Sequence, residues 1–345
     1  MGAAGGAAAT AGTREEVGGA GSSIGGGGNG LGATEPGVGA CAAAELPAEV
    51  PWDGSGVVRH TVAVGDGHGC WLDAGAVVCA YADDTNVATP HALAGLDDML
   101  DLSMTDVGGG NVGCAVQTGG ATWCWQSDRT GVRDVHRVNE LDDVVQVSTG
   151  SGGGNQHRAC AVRKDASVWC WDTALAVPAK VQGLGQAKQV AVAGYASCAL
   201  LLDGTVRCWG TGTEQSRACP EKPQAVPGVQ MAREIVLNRR EFIACALLES
   251  GAGQCWGPTY ERQATNLPPT YTNTRLLALA QDNNTFTHIA IAKVDAAGSA
   301  SMVLNRITET PTTGATFAAG VTELVGGVFN FCWRNANGAA CSNLP

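Results

Sequence analysis

Val190-Ala-Val-Ala-Gly-Tyr-Ala-Ser-Cys-Ala-Leu-Leu-Leu-Asp-Gly-Thr-Val-Arg-Cys-Trp-Gly210 reads as a strand, a glycine turn and a β-hairpin around Asp203-Gly204. A three-residue connection Leu202-Asp203-Gly204, with its glycine in the left-handed region, sets Cys198 directly opposite Cys208. Opposed residues on antiparallel strands have Cα atoms about 4.5 to 5.5 Å apart, within disulfide reach. One short stretch therefore predicts both a strand pair and the covalent clasp across it.

The same unit recurs along the chain. The cysteines fall into pairs, Cys70/Cys79, Cys114/Cys124, Cys160/Cys170, Cys198/Cys208, Cys245/Cys255 and Cys332/Cys341. Successive first cysteines stand 44, 46, 38, 47 and 87 residues apart, so the last interval spans two periods. Midway through it, Thr287 to Leu304 carries the hairpin pattern without cysteine, and Ile289 falls near the first cysteine position. Seven repeats result. Pairs spaced by nine rather than ten keep the opposition with a two-residue turn. A further strand is expected at Pro90-His-Ala-Leu93, Pro178-Ala-Lys-Val181 and Pro223-Gln-Ala-Val226. The seventh hairpin has no such segment after it, whereas Pro47-Ala-Glu-Val50 precedes the first unit. The expectation is an all-β, seven-bladed β-propeller of antiparallel four-stranded blades, closed by this N-terminal strand, because closure removes exposed sheet edges.

Composition sets the frame around the repeats. Residues 1–44 are almost all Gly, Ala, Ser and Thr and read as a disordered Gly/Ala-rich tether, with too little apolar bulk to offset the entropy of ordering. Residues 45–345 are the propeller. A net charge of −11 opposes nucleic acid as a partner, since nucleic acid is bound chiefly through Lys and Arg on phosphates. No run of about 18 apolar residues occurs, so no membrane-spanning helix is expected.

The recurring hydrophobic strand, Gly, optional His, Cys-Ala-Leu, Asp-Gly-Thr-Val and Cys-Trp-Gly resembles the regulator of chromosome condensation (RCC-type) repeat, in the cysteine-paired form of bacterial exported proteins. The match covers about residues 45 to 345 and is best at Cys198 to Gly210 and Cys245 to Gly257. The Gly-Gln-Leu-Gly stretch usual after Trp-Gly is missing throughout. The resemblance implies a seven-bladed propeller. In the eukaryotic namesake this fold is a guanine-nucleotide exchange factor for a small nuclear GTPase and docks on chromatin, and secreted relatives include β-lactamase inhibitors that bind through one rim.

Motifs that invite a chemical reading are better accounted for by the repeat. Fourteen cysteines without Cys-x2-Cys spacing favour disulfides over zinc, and each bond closes a loop of about ten residues worth about 2.5 to 3 kcal/mol in the chain-entropy model. Cys41 and Cys219 remain unassigned. Disulfides imply an oxidising, extracytoplasmic compartment, whether periplasm, cell surface or outside the cell. Met1 to Gly12 lacks the basic start and apolar run of a secretory signal, so a truncated or misassigned start is the expected resolution, with a cytosolic protein bearing structural thiols as the alternative. Trp125, Trp171, Trp209 and Trp256 each follow a second cysteine, a placement that predicts packing between blades. Trp52 breaks that register and, with Arg239 and Arg240, is a candidate partner contact. Asp97-Asp98 and Asp142-Asp143 recur at one place in the repeat and read as a turn element, and His68, His157 and His288 flank hairpins. No catalytic, cofactor-binding or metal-ligating set emerges. The leading reading is a monomeric, non-enzymatic scaffold that binds a protein partner through the irregular insertions Val107–Val112, Gly150–Arg158, Thr211–Lys222 and Arg239–Phe242. Two rivals stand beside it: an exchange-factor-like regulator of a small GTPase, and an enzyme whose acids or histidines converge on the central channel.

Overall fold

The computed structural model describes residues 46, 48–65, 68–81, 90–106, 110–128, 131–151, 157–173, 177–194, 196–210, 222–238, 243–257, 260–266, 273–281, 288–306, 312–327 and 330–343. They form seven antiparallel sheets, each from strands consecutive in sequence: six have four strands and the seventh, Glu323–Gly326, Asn330–Asn335 and Gly338–Asn343, has three. The innermost strands, Val62–Val64, Met99–Asp106, Val144–Ser151, Ala187–Val192, Ala232–Leu237, Thr274–Gln281 and Glu323–Gly326, line a central channel. The architecture is a seven-bladed propeller.

Local chemistry fixes each hairpin. Cys198 pairs in register with Cys208, and Gly204 at φ +80° turns the three-residue connection between them. In the first blade a two-residue turn, Ala74 at φ +47° and Gly75 at φ +87°, does the same for Cys70 and Cys79. Positive φ at both central positions matches the turn whose twist suits a hairpin. The six disulfides are Cys70–Cys79, Cys114–Cys124, Cys160–Cys170, Cys198–Cys208, Cys245–Cys255 and Cys332–Cys341, and each joins opposed residues with Cα atoms 4.0–4.1 Å apart. That separation is shorter than the 4.5 to 5.5 Å expected of an opposed pair, because the bond draws the two strands together. The clasps differ in cover. Cys114 and Cys124 are both fully buried, whereas Cys160 is buried and Cys170, which faces Ala179 of a two-residue outer strand, is half-buried. Cys41 and Cys219 lie outside the described residues.

Register corrects the reading of the sixth blade. Ala292 lies opposite both Ala278 on the innermost strand and Met302 on the third, as Cys245 lies opposite Val236 and Cys255. The cysteine position therefore belongs to Ala292, three residues beyond Ile289, which pairs with Asn305. The long innermost strand, Thr274–Gln281, carries the hairpin further along than the apolar pattern suggests.

The core is a set of seams between blades. Trp125, on the second blade, packs with Cys70, Cys79 and Leu96 of the first. Trp171 stands likewise against Cys114 and Cys124 of the second blade, Trp209 against Cys160 and Cys170 of the third, and Trp256 against Cys198 and Cys208 of the fourth. Trp125 and Trp256 are fully buried, the other two nearly so. In the sixth blade, which has no tryptophan, Leu277, Leu279 and Ile291 cover Cys245 and Cys255 instead. Inner strands approach so closely that a Cβ on Gly326 would lie 1.9 Å from the carbonyl oxygen of Leu279 on the neighbouring blade. Glycine at that position is a requirement of the ring.

The N-terminal segment takes a different course from the one expected. Pro47 lies outside the described residues, and Val50 is not in the seventh sheet: Val50 N donates to Gln186 Oε1 (2.7 Å) and its carbonyl accepts from Gln186 Nε2 (2.9 Å) beside the fourth blade. The side chain of Gln186 takes up both backbone groups of Val50, which a fourth strand on the seventh blade would have used. Among the described residues no fourth strand covers this blade, and Cys341 is exposed, whereas its partner Cys332 is fully buried.

Access governs thiol–disulfide exchange, so limited reduction followed by alkylation and peptide mapping should label Cys332 and Cys341 before any other pair; equal labelling of all six would contradict the order set by exposure. Trp256→Ala should lower stability by about 3 to 5 kcal/mol in urea denaturation, the usual cost of emptying a buried aromatic site.

Candidate functional site

Strand direction divides the propeller into two faces. In every blade the connections from first to second and from third to fourth strand emerge on one face. The hairpin turns and the links to the next blade emerge on the other. The four irregular insertions all connect strand ends on the first face: Asp106 to Asn111, Ser151 to His157, Gly210 to Gln224 and Leu237 to Ala244. Residues 107–109, 152–156, 211–221 and 239–242, with Arg239 and Arg240, lie outside the described residues. The opposite face bears short turns, among them Asp97-Asp98 and Asp142-Asp143. Asp98 sits at φ +59° and its carbonyl accepts from Thr118 N (2.8 Å) and Oγ1 (2.8 Å), while Asp142 and Asp143 pair with Arg137 and Arg163. The carboxylates of Asp142 and Asp143 thus pair with arginines, while Asp97 and Asp98 serve their turn through backbone carbonyls.

The channel holds a cavity of about 100 Å³ lined by Val62, Leu102, Val147, Val190, Ile235, Leu277, Leu324 and their neighbours. Ligand pockets commonly run to about 300 Å³ or more. The space suits water.

At the short-turn end of the channel the inner strands are stitched together by a polar tier that the sequence reading missed. Asp101 Oδ2 accepts from Val147 N on the next blade (2.6 Å). Gln146 accepts from Val190 N (2.9 Å) and donates to Val190 O (3.0 Å), and Gln189 does the same with Ile235 (2.8 and 2.9 Å). Glu323 Oε1 accepts from Thr61 N (2.6 Å) and Val62 N (2.9 Å), joining the seventh blade to the first. Where these side chains change, other groups take over. Arg233 Nη2 donates to Thr274 O (2.8 Å), Arg275 donates to Val321 O, and the carbonyl of His60 accepts from Leu102 N (2.8 Å). A second tier repeats the device with hydroxyls: Thr149 N donates to Ser103 Oγ and Val192 N to Ser148 Oγ, each at 3.0 Å. Buried backbone donors and acceptors that face a neighbouring blade need partners, and these side chains supply them.

Acids and a histidine do gather at this mouth. His60 Nδ1 lies 3.7 Å from Glu323 Oε1, an ion-pair contact too long for a hydrogen bond. Burial alone would lower the His60 pKa, but Glu323, Asp101 and Glu234 outweigh it and lift it to about 9. Burial raises Asp101 to about 6, against the pull of His60 and two backbone donors, and raises Glu234 to about 7. Glu323 is kept below its ordinary value because hydrogen bonds and the His60 charge outweigh its burial. Both oxygens of Asp101 accept backbone N–H groups, His60 N (2.7 Å) and Val147 N, and Glu323 holds Thr61 and Val62. Asp101 and Glu323 are therefore committed to backbone donors. On the loop face, His68 is buried, Asn111 Nδ2 lies 2.7 Å from its Nδ1, and burial, with His91 adding to it, lowers its pKa to about 3. Trp52 lies on the short-turn side, against the seam of the third and fourth blades, and its Nε1 donates to Ser55 O (2.9 Å). Among the described residues no cluster suited to a metal ion occurs, and no helix is long and apolar enough to cross a membrane.

No protein-family model matches the sequence, and no curated protein matches it. Solved structures are similar in shape. Prp20p from Saccharomyces cerevisiae, described with its binding to Gsp1p and histones, superposes with a TM-score of 0.58 at 16% identity, over 77% of this chain and 80% of its own. Human WBSCR16 gives 0.56 at 15% identity over 82% and 87% of the two chains. The CRINKLY WD40 ectodomain of the Arabidopsis thaliana receptor kinase ACR4 gives 0.52 at 18% identity over 82% and 95%. The RCC-type resemblance thus holds at the level of the fold.

Gln189→Leu should test the stitch. It strips Ile235 N and O of their partners, and each buried polar group left unsatisfied costs about 1 to 3 kcal/mol. Urea denaturation should show that loss against Gln224→Leu, an edge-strand control whose amide donates only to Lys222 O in its own segment (3.4 Å).

Proposed function

We propose that the protein is a non-enzymatic scaffold that binds a protein partner through the loop face. The observation that carries this reading is the gathering of all four irregular insertions on strand ends of one face. The opposite face is built from short turns and the channel end is occupied by its own stitching. A rigid ring presenting variable loops separates stability from recognition, since loop changes leave the seams intact. Prp20p, which shares the fold, binds proteins, Gsp1p and histones. An exchange-factor-like role toward a small GTPase is the second reading, and that likeness is what favours it.

Six disulfides favour an oxidising setting, and we place the protein outside the cytoplasm on that ground. The two readings diverge here, because an exchange factor for a cytoplasmic GTPase would work with reduced thiols. Thiol titration of protein from its native source should find the twelve paired cysteines protected; twelve free thiols would favour the second reading.

Replacing residues 107–109, 152–156, 211–221 and 239–242, which lie between the strand ends, by short Gly-Ser connectors should abolish capture of the partner retained by the parent chain. The melting temperature should stay within a few degrees. Retention of the same partner by the loop-exchanged chain would refute recognition through that face.

A further inference from the structure

Six of the seven blades end in a fourth strand: His91–Ala92, Gly131–Arg137, Ala179–Lys180, Gln224–Ala225, Tyr260–Asn266 and Thr312–Ala318. Among the described residues the seventh ends at its third, Gly338–Asn343. An outermost strand presents unpaired backbone that a further strand can join, and natural sheets blunt such edges with proline or charge. The six fourth strands follow that rule. His91, Ala179, Gln224 and Thr312 come directly after Pro90, Pro178, Pro223 and Pro311, and the other two strands carry Arg133, Asp134 and Arg137, or Glu261 and Arg262. Gly338-Ala-Ala-Cys-Ser-Asn343 has neither proline nor charge.

The filled blades show what such an edge accepts. Leu93 N donates to Val77 O (2.8 Å), Val181 N to Val168 O (2.9 Å) and Val226 N to Val206 O (2.9 Å). In each case the acceptor stands two residues before the second cysteine of the clasp. The residue two before the aliphatic one opposes that cysteine: His91 faces Cys79, Ala179 faces Cys170 and Gln224 faces Cys208. Each aliphatic side chain enters a seam, Leu93 beside Cys79, Val181 beside Cys170 and Val226 beside Cys208. In the seventh blade the matching carbonyl is that of Ala339 and the matching cysteine is Cys341, and the adjoining seam holds Val62, Val64, Cys332 and Trp71. Cys341 is exposed and Ala339 half-buried. Val50, the aliphatic residue of the chain's own Pro47-Ala-Glu-Val50, has its backbone taken up by Gln186 beside the fourth blade.

We propose that the outer edge of Gly338–Asn343 is a second interaction surface, distinct from the loop face, which takes an extended segment of a partner protein as the blade's fourth strand. The segment it fits carries proline three residues before Val or Leu. It runs antiparallel to Gly338–Asn343, with the residue after the proline opposite Cys341 and the aliphatic amide donating to Ala339 O. In strand addition the backbone bonds supply affinity, and the aliphatic side chain entering the seam beside Ala339 supplies selectivity.

A synthetic peptide of residues 89–96, Thr-Pro-His-Ala-Leu-Ala-Gly-Leu, added to the full chain is the probe. Alternate residues of an edge strand point their N–H groups outward, so hydrogen exchange resolved to single amides should show Ala339 and Cys341 weakly protected in the chain alone. At about 1 mM peptide their protection should rise about tenfold, as expected of a Kd about tenfold lower. Methylating the amide nitrogen of Leu93 in the peptide removes the donor to Ala339 O. Binding should weaken about tenfold, so that the same concentration gives only about twofold protection. Unchanged exchange at Ala339 and Cys341 on adding the peptide, or equal effects of the parent and methylated peptides, would overturn the proposal. So would strong protection of both amides in the dilute chain alone, which would mean an edge already covered. Protection that rises with protein concentration alone would assign the edge to a second copy of the chain and overturn it likewise.

Discussion

Each inner strand of the propeller must satisfy its backbone toward a neighbouring blade with which it forms no sheet ladder, and polar side chains crossing the seams supply partners. Asp101, Gln146, Gln189 and Glu323 occupy the same height on their strands and bind the backbone one residue further along on the next blade. A glutamine suits the task because its amide both donates and accepts. A carboxylate only accepts, so Asp101 and Glu323 each take two or more N–H donors. Where the sixth blade carries Leu276 at this height, the guanidinium of Arg275 crosses the seam instead. This constraint accounts for the buried Asp101, Gln146 and Gln189 in a ring whose seams are otherwise filled by tryptophan, valine and disulfides.

Closure follows from the same device. The seventh blade has three strands among the described residues, and its junction with the first is made by side chains. Glu323 takes the N–H groups of Thr61 and Val62, and Arg334 donates to the carbonyls of Thr61 and Leu72. From Val50 beside the fourth blade, residues 50–61 run along the short-turn side and carry His60 to the mouth. Burial raises Asp101 and Glu234 there, whereas hydrogen bonds and the His60 charge hold Glu323 low. Perturbed carboxylates on a channel invite a catalytic reading; here Asp101 and Glu323 are taken up by backbone donors of the adjacent blades.

The blade unit was legible because a hairpin is local. Cys198 and Cys208 are ten residues apart, as are Cys114 and Cys124 or Cys160 and Cys170, and the turn between them fixes which residues oppose. The tryptophans were legible for the same reason, recurring one place after a cysteine. The sixth blade was read three residues out of place because, without cysteines to mark the register, the apolar alternation from Ile289 fits more than one alignment. The polar tier escaped notice although it recurs. Gln189 precedes Cys198 by nine residues but Gln146 precedes Cys160 by fourteen, since the loop between first and second strands varies in length. Alignment on cysteines scatters these residues, and only alignment on the inner strand gathers them.

By itself the sequence determined the number of blades, the hairpin turns, the six clasps and the tryptophans of four seams, because the unit repeats and each hairpin is set within about ten residues of chain. Only the tertiary structure decided which residues stitch the blades, where the N-terminal segment lies and which face gathers the irregular loops. Those features join residues 44 to 46 positions apart between adjacent blades, and 262 apart at the closing seam. Over such separations loop lengths vary freely, so no spacing in the chain records the contact; the strand directions and the closing of the ring create it.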